Sequence, residues 1–463
     1  MKLVAILGAG LSGLSAGYAL AKGGKPPAIF EAGPEVGGAS RTLTYKGFRF
    51  DLGGHRFYSK KEDINRFLRD LMGDEMIEVS RVSKICLGGK RFNYPLTPAN
   101  AFFGMGPLKT LGIFADYAWS KLRNTVVPPP ESTYEDWVTN RFGRILARLF
   151  FLDYAEKLWG IPCDRLSLDF ANQRIKSLSL AAAIRNAFRR SSEQPATLIR
   201  RFTYPKRGFG RIAERLAEEI GPGSISLNTP VVGAVRTESR IEAIRVKGPR
   251  GVEERAVEDV ISTVPITDLV RWLDPRPEDD VLAAAGGLRF RNMIFVFLVL
   301  DRDRVTTDTW MYFPQKDIPF SRIHEPKNWS GDMAPEGKTS LVVEYFCSES
   351  DELWRRGSED LRDLTVEHLV RLGQIEAGDV IDSTVIRLPK AYPIYDMGYK
   401  SYLKVLVAFL ARFKNLQLIG RNGAFRYTSS DHYLDMGIKA AENLLGAKHD
   451  LSLIGVENEY AEE

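Results

Sequence analysis

A mixed α/β fold is predicted by three features of the sequence. An apolar strand, Leu3–Leu7, turns through Gly8-Ala9-Gly10-Leu11-Ser12-Gly13 into a helix; a second strand closes on Glu31; blocks of helical and strand periodicity then alternate along the 463 residues. The first two features describe a Rossmann-like unit. Such a turn aims free backbone N–H groups and the positive end of the helix dipole at a pyrophosphate. Gly8 allows the tight turn, Gly10 lets the backbone approach the phosphates, and Gly13 lets helix pack on strand. Glu31 follows at the distance expected of the acid that accepts from a ribose hydroxyl, so a bound dinucleotide is expected.

Paired glycines follow at Gly37-Gly38, and after them Ala39-Ser40-Arg41-Thr42. They bring backbone amides close to an anion, and Arg41 adds a fixed charge able to bond it bidentately. This stretch resembles the Gly-Gly-x-x-Arg-Thr segment of flavoproteins of the amine oxidase and protoporphyrinogen oxidase superfamily. The resemblance implies FAD, held in a domain of the glutathione reductase type 2 family with inserted helical and β-sheet substrate domains. It also implies the cofactor contacts: Gly8, Gly10, Leu11, Ser12, Gly13, Glu31, Ala32, Gly38, Ala39, Arg41, Gly54, His55, Val232, Gly420, Arg421, Asp431 and Met436.

The totals bound the class. A chain of this length suggests two or three domains, and 44% hydrophobic with 27% charged residues is a globular balance. A net charge of +5 is too small to argue for nucleic acid. Cys86, Cys163 and Cys347 lie far apart without Cys-x-x-Cys spacing and read as reduced thiols. No His/Cys/Asp cluster has metal spacing, and there is no nucleophile elbow. Met1-Lys2 leads straight into the first strand, and Phe290–Leu300 is too short for a membrane span. A cytoplasmic protein without metal or integral membrane segment is expected.

The cofactor domain is expected to be discontinuous, built from 1–60, 205–285 and 400–450. Residues 61–204 read as a helical insertion, from spacings such as Ile64-Phe67-Leu68-Leu71 and Ile145-Leu146-Leu149-Phe150, with Val126-Val127-Pro128-Pro129-Pro130 a stiff connector. Residues 286–399 read as a β-sheet/α substrate-binding insertion with strands Asn292–Leu300, Trp310–Phe313 and Ser340–Phe346 and a helix Ser358–Leu372. Between them, Val231–Arg236, Arg240–Val246 and Glu254–Val264 read as a meander with its tip at 247–251. A strand Leu416–Gly420 and a helix Leu434–Leu445 close the domain, and 451–463 is an acidic tail.

Two features point beyond the cofactor. Basic residues cluster from Arg185 to Arg215, either as a solvated helix face or as an anion funnel for a phosphorylated substrate. Histidine is scarce, five in all, so His55 after Gly53-Gly54 stands out, as a structural histidine or as a group beside the isoalloxazine ring.

A narrower resemblance spans most of the chain. Gly53-Gly54-His55-Arg56-Phe57-Tyr58-Ser59, Phe92-Asn93-Tyr94-Pro95, Tyr154-Ala155-Glu156-Lys157-Leu158-Trp159-Gly160, Trp310-Met311-Tyr312-Phe313-Pro314 with Pro319-Phe320-Ser321-Arg322, and Gly420-Arg421-Asn422-Gly423 with Tyr427 and Asp431 resemble, in order, motifs of eukaryotic UDP-galactopyranose mutases. In that family reduced flavin N5 attacks the anomeric carbon of a nucleotide sugar, and pyranose and furanose rings interconvert without net redox. The resemblance implies catalytic roles for His55, Arg322, Arg421 and Tyr427, and substrate contacts from Trp159, Arg174, Tyr312, Arg322 and Tyr427. Arginine suits the diphosphate because it offers a bidentate fork. A nucleotide sugar is then the small-molecule partner, NAD(P)H a candidate reductant, and a homodimer a candidate assembly.

The chain departs from the pattern at several points. Tyr58 or Ser59 stands where bacterial mutases carry a second histidine, and Phe425 where a tyrosine is common. Glu325-Pro326-Lys327-Asn328-Trp329-Ser330 replaces a Phe-Ser-Asn-Tyr-Ser run. An amine oxidase or protoporphyrinogen oxidase type of oxidoreductase shares the same cofactor scaffold and is the alternative reading. A catalytically silent flavoprotein is the third.

Overall fold

The computed structural model describes residues 2–94, 105–126, 129–170 and 201–455. Its first sheet is organised by β1 (Leu3–Leu7), buried from Val4 to Leu7. Such a strand is an unbroken apolar run because both of its faces are covered. β1 pairs in parallel with β2 (Ala28–Phe30) on one side and β12 (Gly251–Ser262) on the other. β9 (Ile225–Ser226) and β19 (Leu416–Leu418) extend this parallel set beyond β2 and β12. The other end of β12 is antiparallel to β11 (Ile241–Gly248), followed by β10 (Val231–Arg236) and β13 (Leu273–Asp274), which completes eight strands.

The helix Leu11–Lys22 covers one face of the parallel strands, and the helix Ser430–Leu444 packs across it. Small residues set that approach. A Cβ on Gly437 would overlap Ser15 Oγ and Ser12 O and stand 2.8 Å from Ala16 N. The opposite face is covered by the helices Ile266–Arg271, Asp279–Gly287 and Tyr399–Leu410, which bury Leu269, Ala285, Leu406 and Phe409.

A seven-stranded sheet forms the second body, in the order β18 (Val380–Pro393), β14 (Phe290–Leu300), β17 (Thr339–Cys347), β16 (Arg322–His324), β15 (Trp310–Tyr312), β6 (Ser83–Leu87), β7 (Lys90–Tyr94). One face packs on Leu361 and Leu369 of the helix Ser358–Arg371, the other on Phe48 and Phe50. Those phenylalanines lie on β4 (Phe48–Asp51), which pairs with β3 (Thr42–Tyr45). Asp51 at the end of that hairpin is buried; it accepts from Thr42 Oγ1 at 2.5 Å, Phe209 N at 3.0 Å and the Tyr204 hydroxyl, tying the hairpin to the 204–210 segment. The helices Tyr134–Phe142, Arg144–Ala147 and Asp153–Trp159 form a third layer around Trp137, Phe142 and Trp159. Thr133 caps the first of them in a reciprocal box with Asp136, each bond 3.1 Å long.

Three expectations are corrected. The 61–204 segment is not only helical: β5 (Met76–Ser80), β6 and β7 lie within it, and β8 (Arg201–Pro205) at its end pairs with β5. β6 and β7 join the second sheet beside β15, so that part of the segment shares a body with 286–399. Ile85 and Phe92 face inward on alternating strands, a period of two masked by the helical spacing around it. At the C-terminal side, β19 ends at Leu418 because Gly420, at φ +75°, opens a short helical turn through Gly423. The closing helix begins at Ser430, four residues early, with Ser429 at its N-cap.

In the basic stretch, Arg201 pairs with Glu78, Arg211 with Glu75 and Glu218, and Arg215 with Glu218. For these three the reading is paired surface charge, not an anion funnel. Arg174, Arg185–Arg200, Val127-Pro128 and the 456–463 part of the tail lie outside the described residues. Among the described residues no helix is long and apolar enough to cross a membrane, and no cluster of side chains would hold a metal ion.

Replacing Gly437 by valine is expected to lower unfolding stability by about 1–3 kcal/mol, because two helix backbones must separate. Chemical denaturation measures this, and an unchanged midpoint would show that the helices do not meet there.

Candidate active site

The cradle begins where β1 ends. Gly8 adopts φ +102°, and a Cβ there would overlap Thr263 Oγ1; a Cβ on Gly13 would overlap Gly8 O. Gly10 differs. Nothing lies within 4 Å of its missing Cβ, so the N-terminus of the helix Leu11–Lys22 opens onto free space. Gly37 N donates to Ala9 O at 2.8 Å, which lays the Gly38–Ser40 turn alongside Gly10. Glu31 accepts from Ala9 N and Gly33 N, both at 2.8 Å, so its carboxylate is fixed at the tip of β2. Ala32 is exposed beside it, and Thr229 N donates to Glu31 O, bringing the start of β10, with exposed Val232, to the same edge. These residues fit a dinucleotide: an open glycine and helix N-terminus for phosphate, with a fixed acid at the second strand.

Three distant segments close the other end. His55 Nε2 lies 2.9 Å from Ala39 O and 3.1 Å from Leu52 O, and its ring stacks on Phe209 at 5.3 Å. With two carbonyls as partners, Nε2 carries the hydrogen and donates. Burial first, and the Arg421 charge second, pull the His55 pKa down to about 4, so the ring is neutral near pH 7. Arg421 follows Gly420, whose Cβ position is 3.3 Å from Ser12 Oγ. Its Nε donates to the Tyr433 hydroxyl at 2.7 Å and its Nη1 to Ala391 O at 3.0 Å. Its guanidinium lies over Tyr392 at 4.4 Å and near Tyr427 at 5.8 Å. Arg41 Nη1 donates to Gly38 O at 3.3 Å. Gly54 packs against Trp310, where any Cβ would overlap the indole. Asp431 is buried, with Oδ1 accepting from Ser429 Oγ at 2.6 Å and Oδ2 unpartnered among the described residues. Leu11, Ser12 and Met436 are buried in the packing of the two helices.

Next to Arg421 lies a cavity walled by rings. Tyr94, Tyr154, Trp159, Tyr312, Phe346, Tyr392 and Tyr427 line it, with Arg322 as its cation. The Trp159 ring sits edge-on to Tyr427 at 5.8 Å and Tyr392 at 6.2 Å, and its Nε1 has no acceptor among the described residues. Arg322 on β16 stands directly opposite Glu344 on β17. Its Nε donates to Glu344 Oε2 at 2.8 Å, its Nη2 faces the same oxygen, and its guanidinium lies 5.3 Å from the Phe346 ring. Burial alone would raise the Glu344 carboxyl; the Arg322 charge and His324 outweigh it and hold the pKa at about 2. Lys157 on the Asp153–Trp159 helix donates to Phe313 O at 2.7 Å and Gln315 O at 3.0 Å, clamping the Trp159 wall to the Tyr312 wall.

The structure therefore brings His55, Arg421 and Tyr427 to one junction, and Trp159, Tyr312, Arg322 and Tyr427 to one cavity. Sequence reasoning missed Tyr392, Phe346, Tyr433, Lys157 and Glu344. Glu344 had a signal: it is the one carboxylate in the wholly buried strand Thr339–Cys347, and a buried acid needs a partner.

Residues 11–445 match the family described as flavin containing amine oxidoreductase. The chain belongs to that family. In fold it is like a reduced UDP-galactopyranose mutase, at 22% identity over 100% of this chain and 99% of that one, TM-score 0.87. A putrescine oxidase is more distant, at 18% identity over 96% and 99%, TM-score 0.66. Among curated relatives, coproporphyrinogen III oxidase of Staphylococcus aureus is 21% identical over 96% of this chain and 99% of its own. A Klebsiella pneumoniae protein named "probable UDP-galactopyranose mutase" is 23% identical over 99% and 97%. The family makes this chain a flavoenzyme, and the likenesses establish its mixed α/β fold.

His55 yields a pH prediction. Its folded pKa lies below the unfolded value of 6.5, so the unfolded chain takes the proton first. Its contribution to stability is complete above pH 6.5 and is lost as the pH falls towards about 4. His55→Gln is expected to flatten the stability–pH curve in that window by chemical denaturation. An unaltered slope would contradict a neutral, carbonyl-bonded His55.

Proposed function

We propose that the protein binds FAD in the cradle and acts on a nucleotide sugar, interconverting its pyranose and furanose rings. The observation that carries the reading is the ring-walled cavity with Arg322 inside it and Arg421 at its junction with the cradle. Gly8, Gly10, Leu11, Ser12, Gly13, Gly38, Ala39 and Arg41 would hold the pyrophosphate and neighbouring chain, Glu31 with Ala32 and Val232 the adenosine end, and Gly54, His55, Gly420, Arg421, Asp431 and Met436 the flavin end. The discontinuous domain of 1–60, 205–285 and 400–450 is the unit proposed to carry it. Bound and reduced, the flavin supplies a nucleophilic nitrogen.

The chain's own groups do the rest. The two guanidiniums favour a departing diphosphate, since donors fixed before reaction cost no reorganisation as charge develops. Trp159 and Tyr312 offer faces for base and sugar, Trp159 Nε1 and the Tyr427 hydroxyl offer donors, and the rings exclude water. His55, neutral, holds the Ala39 and Leu52 carbonyls and adds no charge. Arg174 is proposed as a third cation on the resemblance alone, and NAD(P)H as reductant.

A second reading is favoured by one observation. Glu344 offsets the charge of Arg322, and what remains of the cavity is largely apolar, which also suits a planar uncharged substrate oxidised by hydride loss. A single experiment separates the two. Under anaerobic reduction with a panel of UDP- and dTDP-sugars, a ring-isomerised product is expected. Absence of product across the panel, with peroxide released from another substrate, would establish the oxidase reading. Arg322→Ala is a poor probe, because it strands Glu344 as a buried unpaired charge at a cost of about 3–5 kcal/mol. Tyr427→Phe keeps the packing; it is expected to raise KM for the nucleotide sugar by roughly tenfold to a hundredfold with flavin content unchanged, the loss of one hydrogen bond to a charged group.

A further inference from the structure

The helix Pro107–Val126 carries an outward face that none of the described residues covers. Leu108, Leu111, Trp119, Leu122 and Val126 are 85%, 69%, 67%, 61% and 73% exposed. Their spacings of three and four residues, with Ala115 and Ala118 between, align them in one stripe along the helix. Thr110 and Ile113, on the opposite side, are buried against the protein. A surface helix of a globular protein turns its apolar stripe to the core. This one is inverted. Contiguous exposed apolar surface of this kind marks an interaction site.

Its charges select the partner. Lys109, Lys121 and Arg123 are exposed along the flanks of the stripe, and Asp116 is the helix's one acid. Asp116 is turned to the protein, where its Oδ2 accepts from Ile145 N at 2.9 Å. That bond also brings Ile145 and Arg144, both exposed, to the edge of the same surface. The outward face is thus apolar and cationic, with a tryptophan near its centre. Two copies meeting there would set cation against cation, whereas an anionic bilayer offers acyl chains to the stripe and phosphates to its flanks.

We propose that the Pro107–Val126 helix lies in the plane of an anionic lipid surface and docks the protein there peripherally, without spanning it. The helix belongs to the layer that walls the ring-lined cavity: Met105, just before it, packs in the cluster of Trp137, Phe150 and Trp159. The docked face is therefore on the same side of the molecule as that layer. The inference is independent of which reaction the flavin supports.

The test is flotation of the flavin-loaded protein with vesicles of roughly one part phosphatidylglycerol to two parts phosphatidylcholine, against phosphatidylcholine alone. Co-flotation with the anionic vesicles is expected. The charge-reversed variant Lys109→Glu/Lys121→Glu/Arg123→Glu is expected to partition roughly a hundredfold less, since each basic residue near such a surface contributes about fivefold. Leu111→Asp/Trp119→Asp is expected to stay in the bottom fraction while keeping its flavin spectrum and unfolding midpoint, which shows that it folds. Equal flotation of these variants and the wild type would overturn the proposal. So would failure of the wild type to float, whether with a concentration-dependent dimer that Leu111→Asp/Trp119→Asp abolishes, which assigns the face to a second copy, or as a monomer throughout, which leaves the face without a lipid partner.

Discussion

Backbones that pass almost in contact at the end of β1 hold the rest of this molecule in place. The turn after Leu7 touches Thr263 at Gly8, touches itself at Gly13, and has Gly423 packed with its missing Cβ 2.7 Å from Ser262 O. Gly437 completes the set from the closing helix. No side chain fits at these points, so the early and late parts of the chain can close on the Ser262-Thr263 end of β12 only because each brings glycine to it. The open space beside Gly10 exists because its neighbours are so tightly closed. Among the glycines of this turn, Gly10 is thus the one that faces open space while Gly8 and Gly13 are closed on their neighbours.

The second sheet uses charge for a comparable purpose. Arg322 and Glu344 face each other across adjacent strands inside a hydrophobic layer, where each would be costly alone. Their mutual bond fixes the arginine fork in the cavity wall. Arg421 is held differently, by a phenol, a carbonyl and the face of Tyr392. Among the described residues one cation thus has a carboxylate partner and the other has none.

What could be read from the residues follows from the range of the interactions involved. The phosphate turn was legible because its physics is local: a strand, three glycines and an acid within about thirty residues. Most strands of the meander and of the second sheet were legible within a few residues, since Met293–Leu300 is apolar throughout and Leu341–Cys347 is apolar but for Glu344. β6 and β7 were not, because a period of two over five residues is short, and β15, the partner that makes them part of a sheet, lies more than two hundred residues on. The same holds for the site. His55, Arg322, Arg421 and Tyr427 announced themselves through motifs, whereas Tyr392 and Phe346 lie in none and reach the cavity only by what the fold sets beside them.

The strand order has a consequence for how the chain comes to hold anything at all. β1 can pair with β2 soon after both are made, yet its second flanking strand, β12, is complete only when Ser262 has been made, and Gly420 and Gly437 arrive later still. Contacts of such high sequence separation form slowly and leave the early apolar strand exposed in the meantime. The glycine turn after β1 therefore reaches its finished form only after the much later segments that pack on it have been made.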